Sequence, residues 1–528
     1  MTWTAGYPTE IECTYGYYRE LCPNFLRLAC LSAGIATAKS EPLTYLELGF
    51  GQGVSINIHA AANDGDFWGT DFNPSQAAHA RELAEASGSG ATLLDASFAE
   101  LAARPDLPDF DIIGLHGIWT WISEENSRVV VEIIRRKLKV GGLVYVSYNC
   151  LPGWAPAMPL RHLMKLHADL AAEAAGVVAK VDGAVAFAQQ VIDSGALYFR
   201  ANPAVGERLK ALSALSRNYL VHEYFTEDWR QITFSDMARV LEDAKLSFVG
   251  SAHLLDHVEA VNLSEAGQKL LSGIGHPILR QSVRDYFVNQ QFRRDIFAKG
   301  SRRLSPLEQA EAFRRQPFVL LTPPGDIPMK IVGSLGEATL DEQFYRPLIE
   351  SFADEGFAPK TLGQIAQRHP KLASAPLVNL VQAALVLAGA GRLHPAQQPS
   401  RQPQARSAAL NRHLCERARG SDNFMFLASP VTGGGVPVNR QQQLFLLAAH
   451  KGKKTPSEQA KFVWDTLAAQ GQRVMKEGKV LETLDENMAE LSKQAEEFAE
   501  RRAPILKALG VALSRRTRDI RSAREVRL

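Results

Sequence analysis

A glycine-rich turn near the start of the chain restricts its fold more than any other feature. The run Tyr45-Leu-Glu-Leu-Gly-Phe-Gly-Gln-Gly-Val-Ser55 begins apolar and then places glycines at 49, 51 and 53. This pattern predicts a buried strand that turns tightly into a helix, with backbone N–H groups facing a nucleotide-like ligand. A dinucleotide fingerprint needs its third small residue at position 54, where the chain has Val54, so a dehydrogenase fits poorly. Glycines also serve ordinary strand-to-helix turns, which is the structural alternative.

Strand and helix patterns alternate five times over the first 150 residues. The predicted strands are 43–48, 66–70, 91–94, 110–115 and 143–148, and the helices between them are 54–62, 74–86, 97–103 and 124–138. Such alternation is typical of a parallel sheet covered by helices on both faces. Sheets of this kind bind ligands in the crevice beyond the carboxyl ends of their strands. We therefore predict an α/β fold with its site at that edge.

Composition excludes several classes of protein. A chain of 528 residues with 46% hydrophobic and 22% charged residues predicts roughly three or four globular domains. A net charge of +2 gives no bulk argument for a nucleic-acid partner. The five cysteines lack paired metal spacings, and their odd number argues against a disulfide framework. Because no apolar run suits a signal peptide or a membrane span, we predict a cytoplasmic protein without metal, nucleic-acid or membrane partner.

Acidic residues follow two of the predicted strands. Asp71 is placed to accept both ribose hydroxyls of a nucleoside, and Asp95, with Ala96, Ser97 and Phe98, to lie beside an adenine. Each acid also has a structural alternative. Asp71 would stabilise a helix N-terminus, and Asp95 would cap the following helix.

The segment Leu115-His-Gly-Ile-Trp-Thr-Trp-Ile122 follows the fourth strand. Its two indoles, Trp119 and Trp121, suit a site for a cation because aromatic rings attract positive charge and exclude water. Packing on the hydrophobic face of the sheet is the alternative for both. His116 is the candidate base because its imidazole ordinarily titrates near neutrality, and a strand-end hydrogen-bonding role is the alternative.

Two segments carry a specific resemblance when they are taken with the glycine turn. His116-Gly-Ile-Trp-Thr-Trp121 and Ser147-Tyr-Asn-Cys-Leu-Pro-Gly-Trp154 resemble those of bacterial class I S-adenosylmethionine-dependent methyltransferases with a methyltransferase regulatory domain. That group is similar to the surface-protein lysine methyltransferases of some intracellular bacteria. The resemblance spans about 40–160, and Tyr219–Phe225 with Phe292–Phe297 extends it to about residue 300. It implies a Rossmann-like methyltransferase domain, mostly helical α+β regulatory and C-terminal domains, and S-adenosyl-L-methionine as cofactor, with S-adenosyl-L-homocysteine as product.

The resemblance also implies which residues form the site. The expected cofactor-binding residues are Glu47, Gly49, Gly51, Gly53, Asp71, Asp95, Ala96, Ser97, Phe98, His116, Gly117 and Trp119. The expected catalytic residues, at the acceptor entrance, are His116, Tyr148, Asn149 and Trp154. His116, Tyr148 or bulk water would take a proton from the acceptor. No metal is expected to take part.

The resemblance favours SN2 methyl transfer to a nucleophilic N or O acceptor, with a protein lysine as the first choice. The alternatives are O- or N-methylation of a small molecule or saccharide and a non-catalytic cofactor-binding scaffold. The partner is accordingly a protein substrate or a small-molecule acceptor, and a homodimer is left open. The sequence does not fix the acceptor atom, the degree of methylation or the general base.

The remaining chain divides by pattern into further domains. The predicted units are a cofactor-binding core at 1–157, a helical insertion at 158–215, the regulatory segment at 216–300, a winged-helix-like module at 301–396 and a helical C-terminal domain with a basic tail at 405–528. The insertion begins with one helix predicted over 158–179, for which a lid, a dimer arm and a packing helix are alternatives. The segment 397–404 is the predicted linker, and 222–225 is a candidate to reach the acceptor pocket.

Overall fold

A seven-stranded mixed sheet organises the first 300 residues of the protein. The computed structural model describes residues 4, 6–9, 11–37, 42–171, 176–511 and 513. The strands of the sheet are β1 (Leu43–Leu48), β2 (Gly65–Asp71), β3 (Thr92–Asp95), β4 (Phe110–Leu115), β5 (Leu138–Asn149), β6 (Leu246–Ser251) and β7 (Phe292–Lys299). Their spatial order is β3-β2-β1-β4-β5-β7-β6, in which the first five are parallel and β7 and β6 are antiparallel to their neighbours.

Helices cover both faces of this sheet. Those of the first 150 residues are α1 (Pro23–Ser32), α2 (Val54–Ala62), α3 (Pro74–Ser87), α4 (Phe98–Ala102) and α5 (Glu124–Lys137). Successive strand residues point to opposite faces, so Ile112 packs in the core with α1, α2 and α3, whereas Ile113 packs with α4 and α5. The predicted Rossmann-like α/β fold is confirmed. The order of the strands reverses on either side of β1, which creates a crevice beyond the carboxyl ends of β1 and β4.

The helical insertion after β5 differs from the prediction. It contains α6 (Met158–Leu170), α7 (Val177–Asp193), α8 (Leu197–Ala201), α9 (Pro203–Ser213) and α10 (Arg217–Tyr224). The single helix predicted over 158–179 is therefore wrong. Gly176 precedes α7 in an extended conformation (φ −65°, ψ 157°), which cannot continue a helix.

The regulatory segment contributes strands to the sheet and four helices. Its helices are α11 (Phe234–Glu242), α12 (Glu259–Asn262), α13 (Glu265–Ser272) and α14 (Pro277–Phe287). Strand β6 forms the edge of the sheet. The later strand β7 inserts between β6 and β5.

Small antiparallel sheets and helices make up the rest of the described chain. The helices are α15 (Pro306–Arg315), α16 (Glu342–Phe357), α17 (Leu362–Arg368), α18 (Pro370–Ala373), α19 (Leu377–Gly389), α20 (Arg401–Arg417), α21 (Arg440–His450), α22 (Pro456–Ala468), α23 (Leu484–Glu497) and α24 (Ala503–Ala508). A three-stranded sheet places Pro317–Leu320 between Lys360–Thr361 and Leu393–Pro395. The two-stranded ribbons pair Ile35–Ala36 with Arg302–Arg303, Lys330–Gly333 with Gly336–Thr339, Phe426–Ser429 with Gly434–Pro437, and Met475–Lys476 with Lys479–Val480.

The predicted linker is packed against the sheet domain. Gln397 Nε2 donates to the carbonyl of Ala62 (3.1 Å) and to that of Pro430 (3.1 Å), and α20 begins within the segment at Arg401. Residues 397–404 therefore do not separate two independent bodies. The predicted basic tail, 515–527, lies outside the described residues. A search of the described residues finds no helix both long and apolar enough to cross a membrane.

Candidate functional site

A cavity of about 580 Å³ opens at the carboxyl ends of β1, β2, β4 and β5, beside the point where the strand order reverses. Its volume is typical of ligand-binding sites. The sequence-predicted residues that line it are Glu47, Gly49, Gly51, Asp71, Ala96, Ser97, Phe98, His116, Gly117, Asn149 and Trp154. The other predicted site residues, Gly53, Asp95, Trp119 and Tyr148, do not line it.

The glycine turn forms one wall of the cavity. Gly49, Gly51 and Gly53 have φ of 69°, 56° and 72°, a region that side chains disfavour. The N–H of Gly49 donates to the carbonyl of Thr70 (2.8 Å), which ties the turn to β2. Gly53 lies behind the wall, at the start of α2, where it allows α2 and α3 to approach closely.

Replacing Gly53 by alanine should destabilise the fold. The new Cβ would lie 2.4 Å from the Cβ of Ala80 on α3, in addition to the strain of a positive φ. We expect the free energy of unfolding, measured by urea denaturation, to fall by about 3 kcal/mol. Gly88→Ala is the matched control, because Gly88 has φ +64° with nothing within 4 Å of its Cβ position. Its loss should be about 1 kcal/mol, and equal losses in the two variants would rule out the close approach as the cause.

Asp71 lies at the end of β2 and is 6% exposed. Its Oδ2 accepts from the N–H of Gly51 (2.8 Å), and its Oδ1 accepts from the N–H of Asn73 (3.0 Å). Burial raises its pKa to about 6, although these two hydrogen bonds oppose the shift. Asn73, rather than Asp71, caps α3 by accepting from the N–H of Ser75. Asp71 is therefore held rigidly at the cavity wall beside the glycine turn.

Glu47 lines the cavity from within β1. Its carboxyl group accepts a hydrogen bond from the hydroxyl of Tyr45 (3.2 Å). Burial raises the pKa of Glu47 to about 8, so at neutral pH much of this group is protonated.

Three of the four residues predicted to lie beside the adenine line the cavity. Asp95 is exposed and away from the cavity, whereas Ala96, Ser97 and Phe98 line it. Ser97 caps α4, because its hydroxyl accepts from the N–H of Glu100 while the Glu100 carboxylate accepts from the N–H of Ser97. Asp95 therefore does not provide the cap.

His116 is stacked on Tyr18, with ring centroids 3.6 Å apart, at the cavity wall. Its Nδ1 shares a hydrogen bond of 2.8 Å with the hydroxyl of Tyr145. Burial lowers the pKa of His116 to about 3, so the imidazole is neutral at physiological pH and a weak proton acceptor. The adjacent Gly117 lines the cavity and donates its N–H to the hydroxyl of Ser147 (2.9 Å).

The two tryptophans after β4 have different surroundings. Trp119 is 3% exposed and packs in the core beneath the sheet. Trp121 lines the cavity, and its Nε1 donates to the carbonyl of Glu223 (3.3 Å) on α10. Packing is therefore the observed role of Trp119.

The predicted site residues at and after the end of β5 also differ in whether they reach the cavity. Tyr148 is fully buried on the face opposite Asn149, and its hydroxyl donates to Asp295 on β7 (2.5 Å). Asn149 lines the cavity, and its Nδ2 donates to Oε1 of Glu223 (2.9 Å). Trp154 also lines the cavity, and the guanidinium of Arg208 lies 3.8 Å from its ring centroid.

Several further cavity residues come from distant parts of the chain. They include Tyr7, Cys13 and Tyr18 of the N-terminal segment, Arg208 of α9, Tyr219, His222 and Glu223 of α10, and Phe292 of β7. For this set one signal was present in the sequence, the segment 222–225 predicted to reach the acceptor pocket, and its residues His222 and Glu223 line the cavity. Among the described residues, no group of three or more His, Cys, Asp or Glu side chains could hold a metal ion.

Two family models match the chain. The one described as "Methyltransferase domain" matches residues 46–142, and the one described as "Predicted methyltransferase regulatory domain" matches residues 216–299. The uncharacterized protein sll1526 of Synechocystis is 42% identical over 517 residues, which cover 97% of this chain and 100% of that protein. The structure of PKMT2 from Rickettsia typhi in complex with AdoHcy has a TM-score of 0.67 at 17% identity, covering 94% of this chain and 98% of that chain. The last likeness shows that the fold is shared over nearly the whole chain.

Proposed function

Because this chain belongs to the class I S-adenosylmethionine-dependent methyltransferases that carry a methyltransferase regulatory domain, we propose that its acceptor is a lysine side chain of a protein. The observation that carries this proposal is the composition of the cavity. The cavity combines strand-end loops suited to the cofactor with a second wall of aromatic side chains that includes Glu223.

The first wall fits the cofactor. The cofactor supplies an electrophilic methyl group on a sulfonium. The turn at Gly49 and Gly51 leaves backbone close to the ligand, Asp71 presents a carboxylate for the ribose hydroxyls, and Phe98 offers an apolar face for the adenine. The role of the protein is to align donor and acceptor, which on its own supplies several kcal/mol toward the barrier.

The second wall suits an amine on an aliphatic chain. Trp121, Trp154 and Tyr219 line it, and the carboxylate of Glu223 faces the same space. Aromatic walls favour both the methylene stem and the positive charge of a lysine. PKMT2, the neighbour named above, shares this fold and was solved in complex with AdoHcy, which supports a methyl-transfer cavity of the same kind.

The proposal is tested with a donor whose methyl group is isotopically labelled. Purified protein is incubated with this donor and a bacterial lysate, and protein and small-molecule fractions are analysed by mass spectrometry. We expect label in the protein fraction, released as methyllysine on acid hydrolysis, and no label with Asp71→Ala. Label confined to small molecules would contradict the lysine proposal in favour of a metabolite or saccharide acceptor. Donor binding without turnover would contradict it in favour of a scaffold.

Cofactor affinity should depend on pH through Asp71. The ionised carboxylate accepts hydroxyl donors best, and the pKa of Asp71 is about 6 in the unliganded protein. Protonated Asp71 must release its proton on binding, so the affinity for S-adenosylhomocysteine at pH 5 should be about tenfold weaker than at pH 7. Calorimetric titration across this range checks the slope. The same slope in Asp71→Asn would assign the dependence to another group.

A further inference from the structure

Glu223 belongs to the regulatory segment by sequence but to the cavity by position. It lies near the C-terminal end of α10, inside the span that matches the regulatory family model. Asn149 Nδ2 donates to its carboxylate (2.9 Å), and Trp121 Nε1 donates to its carbonyl (3.3 Å). Trp121 and Asn149, which lie after β4 and at the end of β5, thus fix both the backbone and the side chain of Glu223 at the cavity wall.

The charged groups described around the Glu223 carboxylate include Arg208, which does not form an ion pair with it. The charged and titratable groups that face it are Arg208 of α9, Tyr219 and Tyr224 of α10, and Tyr7 of the N-terminal segment. Burial raises the pKa of all three tyrosines, so they keep their protons at neutral pH. Within the described part of the chain, no Lys or Arg nitrogen forms an ion pair with Glu223 inside 4.0 Å. The guanidinium of Arg208 lies over Trp154 and donates to the hydroxyl of Tyr224 (3.2 Å).

We propose that Glu223 is the catalytic residue that pairs with the ammonium group of the acceptor and removes its proton. This inference rests on the proposed function. An N–H bond of the ammonium breaks and the proton moves to a Glu223 oxygen. The freed nitrogen lone pair then forms the bond to the methyl carbon, while the C–S bond breaks and its electron pair stays on sulfur.

The acid–base properties of the site support this role. Burial raises the pKa of Glu223 to about 7, which suits a general base near neutral pH. The other candidates are less suitable. His116, with a pKa of about 3, is a weak base, and Tyr148 does not reach the cavity. Anchoring of α10 through Asn149 is the structural alternative, and Glu223→Gln preserves that contact because an amide oxygen also accepts from Asn149.

Sinefungin tests the pairing without any knowledge of the acceptor. This cofactor analogue carries an amine-bearing carbon in place of the sulfonium and its methyl group, so its ammonium occupies the position of the methyl group, next to the place of the acceptor nitrogen. We expect wild-type protein to bind sinefungin more tightly than S-adenosylhomocysteine in calorimetric titrations at pH 7.5. In Glu223→Gln this preference should fall by at least about tenfold, as is usual for loss of a charged hydrogen-bond partner, while S-adenosylhomocysteine affinity stays within about twofold.

Asp228→Asn is the matched control, because Asp228 also lines the cavity and its replacement removes the same charge. We expect its preference for sinefungin to match that of the wild type. An unchanged preference in Glu223→Gln, or an equal loss in Asp228→Asn, would overturn the assignment of Glu223. Failure of the wild type to bind either compound would instead overturn the proposed function.

A pH profile separates proton removal from simple binding. With the labelled protein acceptors found above, wild-type kcat should fall as pH is lowered through about 7, since ionised Glu223 is the active form. Glu223→Gln should lose roughly 100-fold in kcat and recover at alkaline pH, where the amine is already neutral. If kcat of Glu223→Gln still falls as pH is lowered through about 7, Glu223 is not the base.

Discussion

Asp71→Ala should weaken binding of S-adenosylmethionine by at least about 100-fold, because two hydroxyl hydrogen bonds to a charged group contribute roughly 3–6 kcal/mol. Asp71 is 6% exposed, and the N–H groups of Gly51 and Asn73 fix its carboxylate at the cavity wall. No reorganisation is then needed before the ribose binds. Isothermal titration calorimetry measures the effect directly.

The controls for Asp71 separate lost binding from lost folding. Asp95 on β3 is the register partner of Asp71 on β2, but it lies outside the cavity. The affinity of Asp95→Ala for S-adenosylmethionine should therefore stay within about twofold of that of the wild type. Asp71→Asn keeps the shape of the side chain if Asp71→Ala fails to fold. Undiminished binding in both Asp71 variants would contradict the account of the cofactor site.

Arg293→Ala should lower the free energy of unfolding by about 3–5 kcal/mol, because it leaves buried carboxylates without their counter-ion. Arg293 of β7 is 5% exposed; its Nε donates to Asp295 (2.7 Å), and its Nη1 donates to Asp285 on α14 (2.5 Å). Its guanidinium also lies 4.3 Å from the ring centroid of Phe234 on α11. Removing it therefore disconnects the sheet from two helices of the regulatory segment.

Chemical denaturation of Arg293→Ala beside Arg239→Ala tests this expectation. Arg239 pairs with Asp236 (2.9 Å), but its side chain is 75% exposed, so the change in unfolding free energy should stay below about 0.5 kcal/mol. If the free energy of unfolding falls by less than about 1 kcal/mol in both variants, the buried ion pairs of Arg293 do not hold the sheet and the regulatory helices together.

The regulatory segment is structurally continuous with the methyltransferase sheet. It supplies two strands of the sheet, β6 and β7, and Glu223 to the cavity wall. The name of its family model suggests a separable device, but its strands pair directly with β5 through β7.

Local patterns in the sequence were sufficient to predict the cavity wall formed by the glycine turn and Asp71. The glycines at 49, 51 and 53 and the acid at the end of β2 are close together along the chain, and both features survive folding as expected. The prediction that Trp119 lies at the cofactor does not agree with the structure, because Trp119 is buried where α5 packs across the sheet. A residue two positions away, Trp121, reaches the cavity instead.

One site prediction conflicted with strand geometry from the start. Neighbouring strand residues point to opposite faces, so Tyr148 and Asn149 cannot both reach a cavity on one side of β5. The alternation of side chains along a strand therefore already predicts that Tyr148 and Asn149 lie on opposite faces, as observed. Arg208 and Tyr7 could not be found in this way, because only long-range packing of α9 and the N-terminal segment brings them to the strand ends.

The most direct test of the whole account is a crystal structure of the protein grown with S-adenosylhomocysteine. The account predicts that the ligand lies in the cavity between the turn at 49–53 and Glu223, with its ribose hydroxyls on Asp71. Ligand bound at another place, or a cavity filled by the protein's own side chains, would contradict it.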